Sequence, residues 1–326
     1  MTRRRIPDEV LSAAHARATA RAAGDWPEAD RLRAEIEAAG WKIADRGTDF
    51  GLTPATPADV AEGDRIRHGS SASVPTRLEE PAIGLATVVL IATDWPDDLA
   101  RALAGLRVGA PAGTSVVIVA NAPSPEQEAA LDALAAQDAA DPSSALPVEI
   151  VWTSERLGQA VAANIGLRRA SAAVAILLDT SIEPTGDIVT PLVRALDDET
   201  VAVAGGWGIV SANLRTFNDA PAGDVDAIEG YVQAFRRDDV VARGPLDERF
   251  RFYRNLDIWW SLVLRDEGEG SPSRRAVSLA GLPLIKHEHR GYTSLPDDER
   301  DRQSKRNFYR IIDRFGSRRD LLVGGD

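Results

Sequence analysis

Continuous apolar and β-branched runs punctuate the middle of the chain. Residues 87–92 form one such run, the pattern of a strand buried on both faces of a parallel sheet. A helix is predicted over 97–106, a second strand over 115–120 and a second helix over 125–137. A third strand over 148–152 leads to a helix over 157–169, with Val161, Ile165 and Leu167 among its apolar positions. The strand 172–178 ends at Asp179, and a helix over 188–196 and a strand over 201–205 follow. This alternation predicts an α/β fold with a mostly parallel, doubly wound sheet. Ligands of such sheets bind at the carboxyl ends of strands, where Thr93, Asn121 and Asp179 emerge.

The first 52 residues read differently. Pro7-Asp8-Glu9 opens a helix with proline and acids in its first turn, running to about Ala23. Gly24 breaks it, and Asp25 caps a second helix over 26–39, with Trp26, Ala29, Leu32, Ile36 and Ala39 on one face. Gly40 stands where a left-handed cap belongs, and a short strand is predicted over 41–45. Residues 53–82 carry Pro54, Pro57, Pro75, Pro81 and a Gly69-Ser70-Ser71-Ala72-Ser73 run, the composition of a linker. The expected organisation is a helical hairpin (1–52), a linker (53–82), an α/β domain (83–295) and a C-terminal basic helix (296–326).

Charge adds detail to this division. The 326 residues carry 38 basic and 50 acidic side chains, a net charge of -12, which argues against a nucleic-acid coat or a generic binder of anionic membranes. Residues 1–55 and 296–326 are nearly neutral, so the acidity lies in between. Lys305, Arg306, Arg310, Arg314, Arg318 and Arg319 form a basic strip, either a solvated helix face or a contact for an anion or a membrane surface. Absence of cysteine excludes disulfides, thiolate metal sites and cysteine nucleophiles. The apolar runs are too short to span a bilayer. Met1-Thr2-Arg3-Arg4-Arg5 leads into Ile6-Pro7-Asp8-Glu9, not into the apolar stretch of a secretory signal. A cytoplasmic protein is expected, with peripheral contact at the inner membrane face left open.

Two stretches resemble known families. Ala16-Arg17, Asp25-Trp26, Glu28-Ala29-Asp30-Arg31-Leu32-Arg33, Gly40-Trp41 and Ile43-Ala44-Asp45 resemble the C-terminal end of cysteinyl-tRNA synthetases. That resemblance implies an RNA contact or a reused docking piece. The segment lacks a Lys/Arg stripe, so docking is the expectation and an RNA partner is not. The second resemblance spans 85–295. Val88-Val89-Leu90-Ile91-Ala92-Thr93 and Val117-Ile118-Val119-Ala120-Asn121 resemble the first strands of a GT-A glycosyltransferase of the family 2 type. Arg156-Leu157-Gly158-Gln159-Ala160-Val161-Ala162-Ala163-Asn164-Ile165-Gly166-Leu167 resembles that family's glycine- and asparagine-marked helix, and Leu177-Leu178-Asp179-Thr180-Ser181 follows at the expected distance. Gly244-Pro245-Leu246-Asp247-Glu248-Arg249-Phe250 resembles the loop before the acceptor-side helix, and Arg254-Asn255-Leu256-Asp257-Ile258 stands where the family carries an acidic cluster.

The resemblance implies transfer of a sugar from a nucleotide donor to a glycan, lipid-linked or small-molecule acceptor, with inversion. Such chemistry needs charge neutralisation on the departing diphosphate and a base for the acceptor hydroxyl. Asp179 is the donor or metal contact. Ser181 replaces the family's second metal-site acid, with Glu183 nearby to compensate. Ala120 replaces the nucleobase-holding aspartate, with Asn121 beside it. The usual Glu-Asp pair is Arg254-Asn255, and an amide is no general base, so Asp257 is the catalytic candidate, with Asp247 and Glu248 behind it. His287 and His289, two apart after a strand over 282–286, point to one face if extended, and either completes a Mn or Mg site with Asp179. Thr93, Asn121, Arg156, Lys286 and Arg290 are the further donor-binding candidates; Trp207, Asp247, Tyr253 and Trp259 are the acceptor-side ones. Two successive tryptophans, Trp259 and Trp260, cannot both face one core, so one is expected to line a groove. A homodimer is left open. The losses at Ala120, Ser181 and Asn255 keep a second expectation in view, a non-catalytic GT-A-like module that binds a nucleotide sugar or serves as a scaffold.

Overall fold

The computed structural model describes residues 6–47, 49–140 and 145–323. The chain divides into two units, Met1–Ala58 and Asp59–Asp326.

The first unit contains α1 (Asp8–Ala22), α2 (Trp26–Ala38), β1 (Trp41–Arg46) and β2 (Asp49–Pro54). Asp25 caps α2 by accepting from the Glu28 N–H at 3.2 Å. Gly40 takes φ +78°, the left-handed turn its position required. The two helices bury Val10, Ala14, Leu32 and Ile36 with Trp41 and Ile43 of β1. Unlike the single strand expected, β1 pairs antiparallel with β2, from Trp41 opposite Pro54 to Arg46 opposite Asp49. The hairpin gives Phe50 and Leu52 a place on the same small core. Trp26, expected on the inner face of α2, is exposed, because it stands in the first turn where the core has not begun.

The second unit begins inside the expected linker. β3 (Val60–Glu62) and β4 (Arg65–His68) are strands, followed by β5 (Ala86–Ala92), α3 (Pro96–Gly109), β6 (Thr114–Ala120), α4 (Pro125–Ala140), β7 (Val148–Thr153), α5 (Gln159–Arg169) and β8 (Val174–Leu178). β9 (Ile182–Pro184), α6 (Val189–Ala195), β10 (Val201–Gly205), β11 (Gly208–Val210), β12 (Asn218–Ala220), β13 (Gly223–Val225), β14 (Ala227–Ile228), β15 (Val232–Arg236) and α7 (Arg237–Arg243) follow. The last elements are α8 (Leu256–Arg265), β16 (Arg275–Ser278), β17 (Leu284–Lys286), α9 (Arg290–Thr293) and α10 (Asp297–Phe315).

Ten strands join in the order β13-β16-β10-β15-β8-β5-β6-β7-β4-β3, and β8, β5, β6, β7 and β4 run parallel. Both faces are covered, which is why β5, β6 and β8 are nearly continuous apolar runs. Val88, Leu90 and Ile118 pack with α3, α4 and α6; Val89 and Val119 pack on the other face with α5 and α8. Gly166 is the reason α5 lies so close to the sheet, since a Cβ there would fall 2.2 Å from Val89 Cγ1. β4 lacks apolar alternation; Arg65 instead covers the Trp152 ring at 3.8 Å and pairs with Asp132 at 2.5 Å. α10 packs Ile311 and Phe315 into the α8 side of the core. α8 therefore lies between sheet and helix, and both Trp259 and Trp260 are buried, one toward Phe250 and the other toward Phe235. Among the described residues no helix is long and apolar enough to cross a membrane.

Candidate functional site

The carboxyl ends of β5, β6 and β8 put Thr93, Asn121 and Asp179 at one edge of the sheet. Thr93 contributes its backbone, its carbonyl accepting from the Ser124 N–H at 2.7 Å.

Asp179 is the best-held of the three. Its own N–H donates to the Tyr231 carbonyl at 3.0 Å, which fixes the turn out of β8. Oδ1 accepts from the Ser181 N–H at 2.8 Å and from Ser181 Oγ at 2.5 Å. Oδ2 lies 3.2 Å from His289 Nε2. Tyr253 stacks on that imidazole, centroid to centroid 4.6 Å at 24°. Burial pushes the Asp179 carboxyl up, but the His289 and Ser181 contacts outweigh it and hold the group below the usual carboxylate range. Burial pushes His289 down, and Asp179 more than reverses this, so the imidazole titrates above its ordinary value. Ser181, standing where a second acid was expected, orients Asp179.

The two histidines separate. β17 pairs with β9, setting Lys286 opposite Ile182, and ends there. His287 Nε2 then lies 2.6 Å from Glu183 Oε2, while His289 goes to Asp179. Of the two histidines expected as alternatives beside Asp179, His289 takes that place and His287 does not, because the strand stops before it can align both rings. Among the described residues, no group of three or more histidine and acidic side chains is placed to hold a metal.

The predicted cations are unequally engaged. Lys286 Nζ lies 3.5 Å from the Tyr231 ring centroid, 5.2 Å from that of Trp207 and 4.0 Å from Glu229 Oε2. Trp207 packs edge-on against Tyr231 at 5.5 Å. The glycines beside Trp207 serve strand packing: a Cβ on Gly205 would sit 2.3 Å from the Val232 carbonyl oxygen. Arg156 forks onto both oxygens of Asp94 at 3.0 Å and reaches the Ala122 carbonyl at 3.1 Å. Arg290 lies 3.7 Å from the buried Asp98.

Several polar candidates have local tasks. The Asn121 amide is buried and spans the Leu157 backbone, donating to its carbonyl at 3.0 Å and accepting from its N–H at 2.8 Å. It fixes the loop into α5 and does not present its amide to a nucleobase. Asn164 does the same 82 residues away, exchanging bonds of 2.9 Å with the backbone of Leu246 and reaching Glu248 at 3.1 Å. That contact joins the glycine-marked helix to the loop before α8. Asp247 is chelated by Arg249 at 2.6–2.9 Å. Asn255, at φ +67°, donates to the Ser304 carbonyl at 3.0 Å.

Asp257 Oδ2 accepts from the Gly230 N–H at 2.9 Å and Oδ1 from the Ile258 N–H at 2.9 Å. Burial raises its pKa in spite of these bonds. Beside Gly230 stands Glu229, which motif reasoning missed. Burial raises it too, Lys286 pulls it back and Asp257 pushes it further. The signal was slight: a single acid between a two-residue strand and a glycine, inside no motif.

A family model described as glycosyl transferase family 2 matches residues 87–249. No curated protein matches the chain. Among solved structures, the chain is similar to a mannosyltransferase of Pyrobaculum calidifontis in complex with GDP-Man and Mn2+, at 19% identity and a TM-score of 0.54, covering 74% of this chain and 67% of that one. It is similar also to GalNAc-T7 with UDP, GalNAc and Mn2+, at 14% identity and a TM-score of 0.55 over 71% of this chain; it spans about half, 48%, of that protein. At these identities the likeness is one of fold.

Proposed function

The chain belongs to glycosyl transferase family 2, and from that premise we propose that it moves a sugar from a nucleotide-sugar donor to an acceptor hydroxyl. The observation that carries this reading is the Asp179–His289 pair at the carboxyl end of β8, 3.2 Å apart under the Tyr253 ring. The Asp179 carboxylate and the His289 imidazole are the residues that would hold a divalent cation, Mn or Mg. When bound, the cation supplies charge neutralisation for the departing diphosphate.

The chain's own groups supply the rest. Lys286, over Tyr231 and Trp207, offers a cation beside an aromatic wall on which a sugar face stacks. Arg156 and Arg290 turn to the diphosphate by exchanging their carboxylate partners. Asp257 accepts the acceptor hydroxyl's proton: each of its oxygens keeps a lone pair beyond the backbone bond, and burial brings its pKa toward the working range of a base. The acceptor oxygen then bonds to the anomeric carbon as the bond to the donor phosphate breaks, its electron pair leaving with the diphosphate. Attack opposite the leaving group inverts the centre. The acceptor is a glycan, lipid-linked or small-molecule hydroxyl. A cytoplasmic location with peripheral membrane contact, and a docking role for the first unit in keeping with its likeness to the end of cysteinyl-tRNA synthetases, belong to the same reading.

Turnover of a panel of nucleotide sugars, with Mn, Mg or EDTA, tests it. One donor turned over with metal and not with EDTA is expected; a chain stabilised by no nucleotide or nucleotide sugar is not a glycosyltransferase. The second reading, a binding module, draws on Asn121, Ser181 and Asn255 being engaged within the protein. Donor binding without turnover, unchanged by Asp257→Asn, would select it.

A further inference from the structure

Arginine recurs at every fourth position from 302 to 318, one ridge along and beyond α10. Its ends are neutralised: Arg302 pairs with Glu299, and Arg318 with Asp266 and Asp320. The middle is not, since Arg306, Arg310 and Arg314 have no salt bridge among the described residues. Beneath this middle lies a cavity of about 380 Å³, which Arg310 and Arg314 line with Arg249 and Trp259. Arg314 stands over the Trp259 ring at 5.3 Å and Arg310 over Phe250 at 5.8 Å, so both guanidinium groups are held against aromatic faces. Two acids line the cavity as well: Asp247, which is paired with Arg249 and also acts on Arg310, and exposed Asp313. Arg310 Nε is buried with no hydrogen-bond partner among the described residues. A buried donor left open is destabilising unless something supplies an acceptor. Burial lowers the Arg310 pKa and Arg249 adds to the effect, against the pull of Asp247 and Asp313.

We propose that this cavity binds a phosphoryl group, carried by a small phosphorylated molecule or by a lipid headgroup, with Arg310 and Arg314 as its ligands. A phosphoryl dianion matches two guanidinium forks that have no salt bridge, in charge and in geometry, and a carboxylate matches only one. Trp259 and Pro245 then offer an apolar surface to the carbon attached to it. None of these residues belongs to the Asp179–His289 pair, and Arg310 and Arg314 have no part in the transfer reaction proposed above.

Titration calorimetry of the full chain with inorganic phosphate and with phenyl phosphate tests it, at saturating UDP or GDP so that a donor site is filled. Saturable binding is expected, weakened at least tenfold in Arg314→Gln and in Arg310→Gln and tightened several-fold in Asp313→Asn. The last variant changes an exposed side chain, so it reads out even if an arginine variant misfolds. Vesicles of phosphatidylcholine, with and without phosphatidic acid, form the second arm. Binding of free phenyl phosphate assigns a soluble ligand. Binding only of phosphatidic acid vesicles, lost in Arg314→Gln, assigns a headgroup. Absence of both, or binding indifferent to Arg314→Gln and Asp313→Asn alike, overturns the proposal.

Discussion

The small core of the first unit and the Asp257–Glu229 corner of the second treat their charges in opposite ways. In the first, Arg17 is almost fully buried yet sits on Asp45 at 2.7 Å, and Arg21 adds a second contact at 3.1 Å. Arg17 holds the Asp45 carboxyl below its ordinary range. In the second unit, two acids beside Gly230 go the other way: burial raises Asp257, in the first turn of α8, and Glu229, whose nearest cation, Lys286, stands 4.0 Å away. Charge that is matched within the fold serves stability. Charge held short of its partners is poised for something that arrives from outside.

That contrast is sharpest where chemistry is expected. Asp257→Asn should lower kcat by about 10²–10⁴-fold with little change in donor affinity. Because the carboxylate form is the active one and its pKa is raised, the wild-type rate should climb with pH through a value above the ordinary aspartate pKa of about 3.9. The variant should lack that limb, and an unchanged pH profile would remove Asp257 from the reaction. Asp179→Ala should cost about 10²–10³-fold in turnover, comparable to deleting one strong electrostatic contact to the developing charge. It should also weaken Mn binding in the presence of nucleotide, measured by calorimetry. If Mn binding persists, the cation is held elsewhere.

The first unit should respond in stability alone. Arg17→Leu leaves Asp45 with the more exposed Arg21 and should cost about 1–3 kcal/mol, read as a lowered unfolding transition with donor turnover intact. The smallest effect concerns acid. Since Asp45 is depressed in the folded state, its contribution is complete above the ordinary carboxylate pKa and disappears as pH falls through the lower folded value. The unfolding midpoint of Asp45→Asn should therefore converge with that of the wild type in acid. Parallel curves down to pH 2 would mean that the pair contributes no pH-dependent stability.

The parallel strands were legible because burial on both faces writes itself as continuous apolar sequence, as in Thr87–Ala92. The helix bearing Asn164 and Gly166 was legible too, although the reason for its residues was not. Asn164, Asn121 and Asn255 are amides that bind backbone 36 to 82 residues away. Periodicity says which face a side chain occupies, not which distant carbonyl it meets. β4 escaped for a related reason: its hold on the sheet edge comes through arginines on Trp152 and leaves no apolar signature. At the site, Asp179 was marked by its place after a strand and His289 by its spacing. The parting of His287 from His289 depends on where β17 stops, a matter of pairing with β9. Glu229 needed the fold itself, since Gly230 touches Asp257 only once two loops have met.

Helix α10 holds the loop before α8 through Asn307, which donates to the carbonyls of Phe252 and Arg254 at 2.8 Å, while Asn255 reaches back to Ser304. Tyr253, the ring resting on His289, lies inside that grip. A chain shortened at residue 295 would therefore lose more than a tail: the clasp on the loop would open, Phe250 and Trp259 would meet water, and the imidazole beside Asp179 would lose the support above it.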